Sequence, residues 1–170
     1  MGFKLLETSN IKYFGGAALN KSNPKIARPL SIKRPMHLVM RSSKARGAYS
    51  LLNKSREVFN VIYNQGRIHG VKIYRYANAG NHLHIVILPR STWAYKKFIR
   101  SITGLIARLI MRVERGKAKN IKFWDQRPFT RIVEWGRDFK RVSNYLLQNT
   151  LEAIGFVAYI PRKRSKYSSA

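Results

Sequence analysis

Residues 78–88 read Asn-Ala-Gly-Asn-His-Leu-His-Ile-Val-Ile-Leu, and they decide how the rest of the chain is read. Asn78-Ala79-Gly80 carries the residue types that close a tight turn, and Ile68 to Ala77 before it alternates like a strand. Asn81 to Leu88 is then the returning strand of a hairpin. Side chains two apart on a strand project from the same face, so Leu83, Ile85 and Ile87 share one face. Val86 and Leu88 share the other with His82 and His84. A strand apolar on both faces belongs inside a sheet, covered at least in part on both sides.

Outward from this hairpin, Met36 to Arg41 reads as an earlier strand and Tyr49 to Gln65 as a helix. Ser91 can cap a helix running to about Arg115, with Phe98, Ile102, Leu105, Ile106, Leu109, Ile110 and Val113 as its apolar stripe. Gly116 to Asn120 is a basic break. Phe123 to Trp135 reads as a strand interrupted by Pro128, and Arg137 to Ile154 as the last helix. Strand, helix, two strands, helix, strand, helix predicts an α+β fold, a ferredoxin-like antiparallel sheet packed by helices. The domain spans residues 35–160. Residues 1–34, punctuated by Gly15-Gly16 and by Pro24 and Pro29, with Pro35 just beyond, read as an irregular basic N-terminal arm, and residues 161–170 as a basic C-terminal tail.

The charge narrows the partners. Lys plus Arg number 34 against 7 Asp plus Glu, a formal +27, while 45% of residues are hydrophobic and can build a core. Such a surface calls for a polyanion, and nucleic acid is the first candidate. No run of about 18 apolar residues could span a bilayer, and the N-terminus carries neither a secretory core nor the Ser or Thr of a myristoylation signal. A cytoplasmic, nucleoid-associated protein is the expectation. The absence of cysteine excludes disulfides, Cys-based zinc sites and thiol nucleophiles. The few acids disfavour a carboxylate-rich two-metal nuclease, which usually takes three or four of them.

His82 and His84 present two imidazoles side by side, and two neutral imidazoles can chelate one divalent ion; hydrogen-bonded sheet histidines would show the same spacing. On the last helix, Phe139, Val142, Leu146, Thr150, Ala153 and Ile154 form an apolar face. Tyr145 and Asn149 lie one turn apart on its polar border. They read either as an amphipathic seal or as groups reaching toward the sheet. In the second case Asn149 adds a third neutral ligand to the ion of His82 and His84. That ion would hold a phosphodiester for in-line attack by the phenolate of Tyr145. A tyrosine ordinarily titrates near ~10, so the ion and the surrounding cations must help ionise it.

These stretches, RPMHLVMR, GNHLHIVI, FWDQRPFTRIV and SNYLLQN, resemble the single-tyrosine HUH transposases, including the REP-associated tyrosine transposases and insertion-sequence relatives, across roughly Pro35 to Phe156. The resemblance implies Mg²⁺ or Mn²⁺ bound by His82, His84 and Asn149, with Tyr145 as the nucleophile. It implies nicking of single-stranded or hairpin DNA through a 5′-phosphotyrosine, release of a 3′-hydroxyl, and rejoining by reversal, in a monomer or a homodimer. Gln148 points about 100° away from Asn149 and is the weaker ligand. The chain departs from the family in lacking an Asn-Pro ending after the tyrosine helix, and its first 34 residues match no familiar motif.

The rival reading is a non-catalytic basic DNA- or RNA-binding module, such as a domesticated transposase, and a third is hydrolysis by a metal-activated water. Lys44, Arg46, Lys117, Lys119, Lys122, Arg127, Arg162, Lys163, Arg164 and Lys166 are candidate phosphate contacts, although charge clusters are often only solvated faces. Of the three tryptophans, Trp124, flanked by Lys122 and Arg127, is the candidate for stacking on bases. His37 reads as a satisfied sheet histidine and His69 as lying near a strand end, neither in the chemistry.

Overall fold

The computed structural model describes residues 13–15, 28–113 and 122–161. The strands are β1 (Tyr13–Phe14), β2 (Met36–Arg41), β3 (Val71–Asn78), β4 (His82–Pro89) and β5 (Phe129–Ile132). The helices are α1 (Ser55–His69), α2 (Thr92–Met111) and α3 (Arg137–Ala153). All strand pairs are antiparallel, in the order β1-β5-β2-β4-β3. The fold is α+β, and β4 is interior as its doubly apolar sequence requires.

Each face of β4 meets a different partner. Leu83, Ile85 and Ile87, with Met36, Leu38 and Met40 of β2, are buried against Ile62 of α1 and Phe98, Ile102 and Ile106 of α2. Each such side chain contributes roughly 1.5–3 kcal/mol by leaving water. Truncating Ile85 to Ala would therefore cost about 2–5 kcal/mol, transfer and cavity together. On the opposite face, Ala77 and Val86 pack with Val133 and with Val142 and Leu146 of α3, with Tyr74, Phe139 and Tyr145 at the margin. Thus α1 and α2 cover one side of the sheet and α3 the other. Among the described residues no helix is long and apolar enough to cross a membrane.

Several boundaries differ from the sequence reading. The segment from Tyr49 begins as two short 3₁₀ turns, Gly47–Tyr49 and Leu51–Lys54, because the Ser50 hydroxyl accepts from the Leu52 N–H at 3.3 Å. Helix α1 runs past Gln65 to His69, stopping where Gly70 adopts a left-handed φ of 67°, a conformation glycine takes without steric cost. His69 is therefore in a helix, with its ring 2.9 Å from the Ser101 hydroxyl. Ser91 caps α2 as expected, accepting from the Ala94 N–H at 3.0 Å. That helix ends at Met111, where Arg112 turns left-handed with φ 53°. The strand expected over Phe123–Trp135 shortens to Phe129–Ile132. Phe123 turns into the main core, and the Trp124 indole N–H donates to the Thr103 carbonyl at 2.9 Å.

The arm is not irregular throughout. Tyr13 and Phe14 pair with Arg131 and Thr130, adding an edge strand beside β5. Phe14 is buried, and the Arg28 guanidinium lies 4.5 Å over its ring while donating to Thr130 Oγ1 at 2.7 Å. Gly15 has φ 88° and packs so tightly on the Pro128 carbonyl that no Cβ would fit.

Candidate active site

The hairpin and α3 build the site together. His84 stands opposite Val39 of β2 and Ala77 of β3, and His82 stands opposite Arg41. Their rings have centroids 4.7 Å apart at 82°. Over them lies α3, where Val142 and Leu146 pack on Val86 and carry Tyr145 at the margin of that contact. The Tyr145 ring meets His84 edge-on, with centroids 5.3 Å apart. Asn149 follows one turn later and is buried, its amide nitrogen donating to the Tyr145 carbonyl at 2.7 Å. Gln148 instead donates to Glu152 at 2.8 Å.

The helix is held at its start. Asp138, in the first turn of α3, accepts from Arg131 of β5 at 3.0 and 3.1 Å and from the Glu134 N–H at 3.1 Å. Burial pushes the Asp138 carboxyl up, and the hydrogen bonds from Arg131 and Glu134 outweigh it and hold the group below its ordinary value. Since a helix advances about 1.5 Å per residue, this clamp on the first turn sets where Tyr145 stands along the sheet.

One residue that the sequence reading left out belongs to the site. His37 of β2 stands opposite Val86, on the face that carries His84. Its Nε2 lies 3.0 Å from His84 Nδ1, with both groups buried. Burial pushes His37 down to about 3, Arg131 adds to this, and Asp138 opposes it, so the ring is neutral at pH 7. The only sequence signal was that His37 is a histidine on an otherwise apolar strand; its neighbour is fixed by strand register alone.

The donor chemistry fits a divalent ion. His84 engages His37 through Nδ1, and His82 engages the Asn81 Oδ1 through Nδ1 at 2.6 Å. This is how metal-binding imidazoles are usually oriented, with coordination through the second ring nitrogen. No three His, Asp or Glu side chains converge among the described residues. Among the described residues, a third protein ligand beside His82 and His84 would be of another type. Asn149 is suited to it, since its nitrogen faces the Tyr145 carbonyl and its oxygen is the ligating atom of an amide.

The basic candidates divide. Lys44, Arg46, Lys122 and Arg127 are exposed, and Lys44 Nζ donates to the Lys122 carbonyl at 2.8 Å. These segments meet at the His82 end of the sheet. There the Asp125 N–H donates to the Arg41 carbonyl at 3.0 Å and the Ser42 N–H to the Asn81 carbonyl at 2.9 Å. Lys117, Lys119, Arg162, Lys163, Arg164 and Lys166 lie outside the described residues. Trp124 is packed against the main core, while Trp93 and Trp135 are exposed, at 62% and 49%.

The fold is shared with a solved REP-associated tyrosine transposase bound to a REP hairpin, with a TM-score of 0.61 and 14% identity over 79% of this chain and 76% of that one. No match was found among curated protein sequences. The family described as Transposase IS200 like matches residues 32–149, and the chain belongs to that family of DNA transposases.

Proposed function

We propose that this transposase nicks and rejoins single-stranded DNA by transesterification at Tyr145, as in the transposition of hairpin-flanked elements. The observation that carries the reading is the edge-on meeting of Tyr145 with His84, centroids 5.3 Å apart, on the sheet face that also bears His82. A tyrosine that could act as nucleophile and two imidazoles that could hold an ion are neighbours there, from elements more than sixty residues apart in the chain, and this supports the reading. Membership of a transposase family and the likeness to a transposase solved with a DNA hairpin support the same substrate class.

His82, His84 and Asn149 would hold Mg²⁺ or Mn²⁺. When bound, the ion supplies positive charge to the phosphodiester oxygens as phosphorus is attacked. Tyr145 Oη bonds to phosphorus, its proton passing to solvent, and the bond from phosphorus to the 3′-oxygen breaks. The departing strand takes up a proton as a 3′-hydroxyl, and the 5′-phosphate stays on Tyr145. Attack by a 3′-hydroxyl on that linkage reverses the step, so joining needs no ATP. Asp138 and Arg131 keep Tyr145 in place by fixing α3. Lys44, Arg46, Lys122 and Arg127 supply phosphate contacts near the His82 end, and Lys117, Lys119 and the tail cations are further candidates for such contacts.

The deciding assay uses labelled single-stranded oligonucleotides from the sequences flanking the gene, with Mn²⁺. A protein-linked label is expected. Sequence-independent binding without any covalent product would favour the binding module, and cleavage without a linked product would favour hydrolysis by water.

A further inference from the structure

The face of the sheet covered by α3 carries a second feature beside Tyr145. Lys72, Arg75 and Ala77 of β3 stand opposite Leu88, Val86 and His84, so they belong to the α3 side. Tyr74 is the extra residue at an irregularity between Ile73 and Arg75, and such a bulge re-aims a side chain. Here it delivers the Tyr74 ring to the same side, where it meets Trp135 edge-on with centroids 5.5 Å apart and Phe139 at 5.7 Å. Trp135 also leans on Phe139, with centroids 5.2 Å apart.

Three rings in contact are ordinarily a way to hide apolar surface, yet Trp135 remains 49% exposed. Cations surround the group. Lys72 Nζ lies 4.9 Å over Tyr74, and the Arg75 guanidinium 5.9 Å over Phe139. The Trp135 indole N–H donates to the Lys33 carbonyl at 3.2 Å, which helps fix the ring's attitude while the residue stays half exposed. A pre-oriented aromatic face within a cationic rim has the chemistry that binds an unpaired base together with its phosphate.

Position along α3 links this platform to the reaction. Phe139 and Tyr145 are six residues apart, about 9 Å along a helix axis, the span of one or two nucleotides. We infer that Trp135, supported by Tyr74 and Phe139, is a stacking platform for an unpaired base of the DNA strand, one or two nucleotides from the phosphate held at Tyr145. The inference rests on the single-strand reading above and adds where a base docks. The other exposed tryptophan, Trp93 on α2, belongs to the opposite side of the sheet and has no part in it.

The test uses the full chain carrying Trp93→Phe, so that Trp135 is the exposed one of the two tryptophans left. An oligothymidine should quench and shift its emission. Trp135→Ala should then weaken binding of the oligothymidine by about 5- to 100-fold, as loss of one base–aromatic stack does. Trp135→Phe should retain most of the affinity. An otherwise identical oligonucleotide with abasic spacers should bind wild type and Trp135→Ala alike, because phosphate contacts remain. Equal loss on base-bearing and abasic strands, or no loss on either, would overturn the platform. Covalent adduct formation by wild type, measured in parallel, separates the two ideas: adduct with no stacking contribution sinks only the platform, and stacking without adduct sinks only the transesterification.

Discussion

His37 Nε2 lies 3.0 Å from His84 Nδ1, and the two rings stack across the β2–β4 pair with centroids 5.2 Å apart. With His37 neutral, a His84 that held an ion through Nε2 would donate its Nδ1–H to His37, and this bond would fix both tautomer and ring plane. Replacing His37 by Phe keeps the bulk and removes the acceptor. Calorimetric titration with Mn²⁺ should then show roughly 10- to 100-fold weaker binding, while single-strand affinity in EDTA stays the same. Unchanged metal affinity would mean that packing alone orients His84.

Tyr145→Phe removes one oxygen from a ring that keeps its place against His84. Denaturation should shift by less than about 1 kcal/mol, and oligonucleotide affinity should hold. Nicking and the protein-linked label should both vanish. An adduct that persists in the Phe variant would assign the nucleophile to another residue.

Removing the ion should separate chemistry from binding. In EDTA, or in His84→Ala with Mn²⁺, cleavage should fall by about 10²- to 10³-fold, the scale of losing a principal charge stabiliser. Affinity should change far less, since most of it comes from many Lys and Arg contacts to phosphate. Asn149→Ala should be milder than either, because water can replace an amide oxygen around a hard cation. Full cleavage in EDTA by the wild type would remove the ion from the reaction even if Tyr145 proved essential.

Asp138 should mark the acid limb of stability. Its carboxyl is held below the ordinary value of 3.8, so the folded state binds the proton less tightly than the unfolded chain. The stabilisation is therefore complete above about pH 4 and is lost as pH falls toward the lower folded value. Asp138→Asn should cost on the order of 1 kcal/mol at pH 7, with the difference narrowing below pH 4. Thermal melts of both proteins across pH 2.5–7 check this; parallel melting curves at every pH would show that the Arg131 contact contributes nothing.

Much of this was legible because it is local. Alternation in residues 78–88 set the turn, the strand and the shared face of His82 and His84, since the strand period is two whatever surrounds it. Helical spacing put Tyr145 and Asn149 one turn apart, and Ser91 announced the start of α2. Boundaries slipped where a local signal was overridden. Phe123 and Trp124 are drawn to the core and to Thr103 rather than into the ladder, and Gly70, not Gln65, stops α1.

The sequence by itself determined the main elements, though not the edge strand β1, together with their apolar faces and the cationic character of the chain, because each depends on residue type and spacing along one element. Tertiary structure alone decided which groups meet. His37 joins His84 because antiparallel register sets it opposite Val86. Tyr145 reaches His84 because Arg131 and Asp138 clamp α3 over that face. Tyr74 joins Trp135 and Phe139 through an irregularity in strand pairing. Register, clamps and bulges are relations between segments distant in the chain, and no periodicity within a single segment encodes them.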